Sequence, residues 1–214
     1  MQLEVKEVML SRKSEFMALG VGEDQFALML RYVDELVQKN TEINLFSRKM
    51  TAKELVENQI FDSLMALPGF IELPFTKLAD FGSGGGLPAA LLAIMFPDRE
   101  VLCFEKTEKK NLFLKQLSQW IPNLKVLGAI EPKKLIGVDL ITAKAFKPIE
   151  TIINFSKDYY YSGGTYLIYK ARMDTIESEI EEAKRFKPQV SIAKLESPFL
   201  EVERNLVFFR KEES

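Results

Sequence analysis

The sequence predicts an α/β fold: a mostly parallel, seven-stranded sheet with an antiparallel edge, preceded by an N-terminal helical cap. Three observations predict it. A glycine-dense turn follows a short apolar run that ends in an acid and precedes a proline that opens a helix, in the stretch KLADFGSGGGLP from Lys77 to Pro88. Strand and helix patterns then alternate five times down the chain. The last two strand-like runs follow each other with no helix between them, which puts an antiparallel pair at one edge.

The elements read as follows. Residues 4–44 are helical, with Phe26, Leu30, Val33 and Val37 at helical spacing and Glu23 and Asp24 suited to a first turn. Residues 46–50 break that pattern. Thr51 and Glu54 have capping-box spacing and start a helix to about residue 67, with Leu55, Phe61 and Leu64 in its apolar stripe and Pro68 and Gly69 ending it. Residues 1–72 are therefore the predicted cap, and 73–214 one compact sheet-and-helix core. Pro88 sits in the first turn of a helix over 88–96, where a missing N–H costs nothing. The second strand, 101–104, ends at Glu105, and a helix over 108–120 turns Leu112, Leu117 and Trp120 inward. Strands over 125–127 and 138–142 come next, followed by a helix over 148–156 and, after Ser162, Gly163 and Gly164, a strand over 165–169. Asp174 caps a charged helix that ends near Phe186, and strands over 190–195 and 205–209 close the chain.

Composition excludes several kinds of chemistry. Histidine is absent, which removes the usual general base, the usual zinc ligand and every Ser-His or Cys-His nucleophile pair. Cys103 is the single cysteine, so one chain can form neither a disulfide framework nor a cysteine-rich zinc site. No apolar run approaches the roughly 20 residues that span a bilayer, and the charged opening 1–14 has no apolar segment of a signal peptide. A cytoplasmic protein with no membrane or metal partner is the expectation. The net charge of −2 requires any nucleic-acid binding to come from a local basic face.

Two ligands compete for the glycine turn. Gly84, Gly86 and Ala89 fit the G-x-G-x-x-A spacing of a nicotinamide site, and Glu105, 19 residues beyond Gly86, is placed for ribose hydroxyls in either case. Asp80, Gly82, Gly84 and Gly86 also fit D-x-G-x-G-x-G, which resembles the S-adenosylmethionine loop of class I methyltransferases, a Rossmann-like fold. The missing histidine weighs against hydride transfer to a carbonyl, which needs a proton donor, and not against methyl transfer to a nitrogen lone pair. The strand end at 143–148, AKAFKP, lacks the Asn or Asp with two prolines and an aromatic that many amino-group methyltransferases carry, so a ring nitrogen is the better acceptor. Lys106, Lys109, Lys110, Lys144, Lys147, Lys170 and Arg172 gather at the predicted ligand end of the sheet, with Phe146 offering a face for a base.

The ordered set ADFGSGGGLPAALLAIMFPD, the Glu105 strand end, EKKNLFLKQL, Asn44-Leu45 and Ile60 to Leu64 resembles the bacterial RsmG family (glucose-inhibited division protein B). The resemblance implies a cytoplasmic S-adenosylmethionine-dependent enzyme that methylates N7 of a guanine in 16S ribosomal RNA of the small subunit; a monomer is the separate expectation for the chain. It further implies that Asp80, Gly82, Ser83, Gly84, Gly86 and Leu87 line the cofactor, that Glu105 holds its ribose and that Ile130 and Glu131 flank its adenine. Lys144 and Lys170 are implied on the catalytic, RNA-facing side. Departures from the family pattern cluster on that same side: Asn58-Gln59 stands for Arg-His, Ala129 for Arg, Lys144 for Arg and Ala171 for Gly. A diverged member that binds cofactor and RNA but methylates another target, or none, is the alternative.

Overall fold

The structure is a computed structural model and describes residues 1–199 and 202–212. Helices α1 (Gln2–Ser11), α2 (Lys13–Ala18) and α3 (Glu23–Asn40) open the chain. They are followed by α4 (Ala52–Leu55), a π-helical turn (Val56–Phe61), α5 (Asp62–Leu64) and α6 (Leu67–Glu72). The core then runs β1 (Lys77–Phe81), α7 (Ala89–Met95), β2 (Glu100–Phe104), α8 (Glu108–Leu117), β3 (Leu124–Leu127) and β4 (Leu140–Lys144). It ends with α9 (Ile149–Phe155), α10 (Lys157–Tyr161), β5 (Thr165–Lys170), α11 (Met173–Ala183), β6 (Pro188–Lys194) and β7 (Asn205–Lys211).

The seven strands lie in the order β3-β2-β1-β4-β5-β7-β6, with β1 to β5 parallel and β7 antiparallel to both neighbours. Chain order reverses between β1 and β4, and ligands of such sheets bind in the crevice beyond the strand ends at that point. Strict alternation assigns the two faces. Leu78, Val101, Cys103, Leu140, Leu167 and Tyr169 belong to the core shared with α1, α3, α7 and α8. Ala79, Phe81, Leu102, Phe104, Ile141 and Ile168 belong to the core shared with α9, α10 and α11. By this period Asp80, opposite Cys103 and Thr142, points to the cap face, as does Lys144.

The structure corrects four sequence expectations. Pro68 and Gly69 lie inside α6 and do not end the preceding helix: proline is accommodated in a first turn, and a Cβ on Gly69 would come within 2.9 Å of Leu206, so glycine lets α6 press onto β7. Leu112 is 57% exposed, and α8 instead buries Phe113, Leu114 and Leu117. Asp174 lies inside the first turn of α11 and not at its N-cap, which is Arg172; its carboxylate pairs with Arg172 and accepts from the Thr175 N–H (2.6 Å), while the Met173 N–H donates to Glu203 at 3.2 Å. The fourth strand begins at Leu140, because Val138 turns the chain in a bond from its N–H to the Leu135 carbonyl. The capping box forms as its spacing indicates, with Glu54 N–H donating to Thr51 Oγ1 (3.2 Å) and Thr51 N–H donating to Glu54 (2.7 Å).

Candidate active site

The glycine turn is set by its backbone. Gly82, Gly84 and Gly86 have φ of 77°, 55° and 94°, the left-handed region where a Cβ is disfavoured. Gly82 is doubly constrained, since a Cβ there would run into the Phe146 ring. The Gly82 and Ser83 N–H groups both donate to the Phe104 carbonyl (2.9 and 3.2 Å), which ties the turn to the end of β2. From the cap, fully buried Tyr32 donates its hydroxyl to the Gly85 carbonyl at 2.9 Å, and burial raises its pKa. Leu87 is half-buried against the cap-side core.

Asp80 lies beneath this turn. It is 1% exposed, and among the described residues neither carboxylate oxygen has a hydrogen-bond partner; the nearby Ser83 hydroxyl donates to the Asp80 backbone carbonyl at 3.0 Å. Buried carboxylates are almost always paired, so this one is poised for a missing donor. Burial above all pushes its pKa up to about 7, with the negative Glu105 adding to the shift and Lys144 opposing it. Glu105 itself is 8% exposed and accepts from Gly84 N–H (3.1 Å) and Thr107 N–H (2.7 Å), which fixes its carboxylate at the end of β2.

Two clefts open at the carboxyl ends of the strands. One of about 390 Å³ is lined by Gly82, Glu105, Lys106, Gly128, Ile130 and Phe155, among others. The second, of about 280 Å³, lies between β4, β5 and the π-helical turn and includes Asn58, Gln59, Lys144 and Arg204. Phe146 and Lys147 border both. The Phe146 ring packs edge-on against Phe81 (6.3 Å between centroids) and tilted against Phe155 (6.1 Å). Ala145, just before it, has φ 50°, a left-handed conformation that costs a non-glycine residue about 1 kcal/mol and that recurs at functional sites.

The structure gathers most residues that the sequence singled out, and it redirects three. Ile130 lines the larger cleft, whereas Glu131 is absent from its lining and turns to Lys134 (2.5 Å) and Lys133 (3.3 Å), whose hydrogen bonds hold its carboxyl below the usual range. Lys144 is no free cation: its Nζ meets Asp62 at 2.8 Å and donates to Ser63 Oγ (3.0 Å) and the Gln59 carbonyl (3.2 Å). Burial lowers its pKa, with Asp62 opposing. Lys170 borders the smaller cleft but pairs with Glu179 at 2.6 Å, both side chains nearly buried, and so ties β5 to α11. Sequence reasoning missed Tyr32 and Arg204. The second completes the Asp62 cluster, donating to Asp62 at 2.7 Å. The alternation of Glu203, Arg204 and Asn205 before an apolar strand carries too little pattern to have marked it.

Among the described residues, no group of three or more His, Cys, Asp or Glu is placed to hold a metal ion, and no helix is long and apolar enough to cross a membrane. The donor that Asp80 lacks is a cation or N–H group reaching in beside the glycine turn. The donor set suits S-adenosylmethionine: its amino group would supply a donor for Asp80, its ribose hydroxyls would use the remaining lone pairs of Glu105, and its adenine would suit the apolar side of the larger cleft at Ile130 and Phe155.

A doubly wound sheet with this turn, this orphaned acid and this second cleft defines a class I, S-adenosylmethionine-dependent methyltransferase. Solved structures agree on the fold: an O-methyltransferase from Bacillus cereus in complex with SAH aligns with a TM-score of 0.58 at 11% identity, over 85% of this chain and 91% of that one. The family model described as rRNA small subunit methyltransferase G matches residues 25–207. Ribosomal RNA small subunit methyltransferase G 1 of Bdellovibrio bacteriovorus is 43% identical over 198 residues, 92% of this chain and 96% of that protein. The corresponding protein of Borrelia garinii subsp. bavariensis is 30% identical over 82% of this chain and 86% of its own length. The chain belongs to the rRNA small subunit methyltransferase G family.

Proposed function

We propose that this protein transfers a methyl group from S-adenosylmethionine to N7 of a guanine in the 16S ribosomal RNA of the small subunit, acting as a cytoplasmic monomer. The observation that carries the reading is the meeting of two clefts at Phe146, one lined by Gly82 of the glycine turn and by Glu105, the other rimmed by cations. The bound cofactor supplies a methyl on a cationic sulfur. Asp80 holds its amino group, Glu105 its ribose, and Gly82, Ser83, Gly84, Gly86 and Leu87 the backbone path between them. N7 of guanine carries a lone pair and no proton, so a chain without histidine can serve by alignment and exclusion of water alone. Phe146 separates the clefts and offers a face to the base, while Lys147 and Lys106, both exposed, reach phosphate. Lys144 and Lys170 shape the RNA side through Asp62 and Glu179. The cap 1–72 and the core 73–214 work as one unit, because Tyr32 and Asp62 of the cap hold groups of the core.

The test is transfer of labelled methyl to small subunits that lack the modification. Label recovered in 16S RNA is expected; cofactor binding with no label in any ribosomal RNA would favour the diverged, non-catalytic reading.

A further inference from the structure

We infer that the side-chain amides of Asn58 and Gln59 read the edge of the target base remote from N7, and so select guanine; the inference rests on the function proposed above.

The smaller cleft contains few groups free to do this. Lys144 and Arg204 are both committed to Asp62, and Arg204 also donates to the Glu203 carbonyl (2.9 Å). Lys170 is committed to Glu179, and the Tyr169 hydroxyl donates to the Ser63 carbonyl at 2.7 Å. Lys147 is free but can only donate. The amides of Asn58 and Gln59 are half-buried in this cleft and have no hydrogen-bond partner among the described residues. Among the described residues that line this cleft, they are the uncommitted side chains with an acceptor.

Their backbone is fixed. Both lie in the π-helical turn, a geometry frequent at functional sites. The Gln59 carbonyl accepts from Ser63 Oγ at 2.6 Å and from Lys144 Nζ at 3.2 Å, so β4 and α5 anchor the residue while its amide stays free. Arg12 adds a clamp from the α1–α2 junction, donating twice to Glu57 Oε1 (3.0 and 2.8 Å). With the backbone clamped, binding orders only the amide side chains and not the turn that carries them.

The chemistry then selects the base. With N7 turned to the cofactor, guanine presents N1–H and N2–H₂ on its far side, two adjacent donors that need acceptors. Adenine presents an acceptor and a C–H there. Amide oxygens satisfy the guanine pattern, and the cations of the cleft cannot.

The experiment compares wild type with Gln59→Leu, Asn58→Leu and Gln59→Glu on small subunits carrying guanine or inosine, which lacks the 2-amino group, at the position that wild type labels. The wild type is expected to prefer guanine in kcat/KM by about tenfold, the discrimination one good base-edge pair provides. The leucine variants should lose that preference and raise KM for the subunit, with S-adenosylmethionine affinity unchanged. Gln59→Glu, which keeps the acceptor, should retain the preference. Leucine variants that keep both the preference and the wild-type KM overturn this inference alone. Failure of the wild type to label any guanine overturns the proposed function, and this inference with it.

Discussion

Asp80→Asn is expected to lower S-adenosylmethionine affinity by roughly 10- to 100-fold, the loss that follows when one charge-assisted hydrogen bond in a buried site is removed. The same change should make the free protein more stable. Asp80 titrates near 7 in the folded chain, against an ordinary carboxyl value of 3.8, because burial disfavours its charge. Between those values the folded state holds more protons than the unfolded one, so stability falls as pH rises through this window. Asparagine removes that dependence, and above pH 7 the cofactor-free variant should melt a few degrees higher, the shift that roughly 1 kcal/mol produces at this length. Cofactor affinity has the opposite pH dependence: it should fall about tenfold per unit below pH 7, as the carboxyl that must pair with the amino group becomes protonated. Titration calorimetry from pH 5.5 to 7.5, with melting curves at pH 8, checks both. A flat affinity, or a variant less stable than wild type at pH 8, would contradict this account of Asp80.

Lys144→Ala should abolish most RNA methylation while leaving cofactor affinity within about threefold. The lysine does not work as an exposed phosphate contact. Its ammonium is one of two cations on the buried Asp62, and deleting it leaves that carboxylate with Arg204 alone. Removing one partner of a buried ion pair is strongly destabilising, by about 3 kcal/mol where nothing compensates and by less here because Arg204 remains. The π-helical turn also loses the Lys144 bond to the Gln59 carbonyl, so the RNA-side wall should loosen. Arginine at this position keeps the charge and should restore part of the activity. Steady-state kinetics with subunit and with cofactor varied separately measure the split; equal loss toward both would contradict it.

The fold was legible because its signals are local. The short apolar run of each core strand, the glycine turn, and the capping box at Thr51 each need only a few neighbouring residues, and all of them form. The placement of Asp80, the glycines and Glu105 was legible for the same reason, since they lie at strand ends of the topological switch point. The opposite side of the site was not. Whether Lys144 faces solvent or Asp62, and whether Lys170 meets RNA or Glu179, depends on residues 82 and 9 positions away that the fold brings together. Glu131 was drawn off by Lys133 and Lys134 in its own sequence, a local competition that a family pattern does not reveal. Pro68 shows the limit of punctuation signals, because the residue that ends one helix is equally suited to begin the next.

The central claim is methyl transfer to a ring nitrogen that needs no base, and nucleoside analysis of the reaction product tests it most directly. Small subunits labelled by the purified protein would be digested to nucleosides and separated. The label is predicted to travel with 7-methylguanosine; label in N2-methylguanosine, a methylated adenosine or a 2′-O-methyl nucleoside would contradict the account.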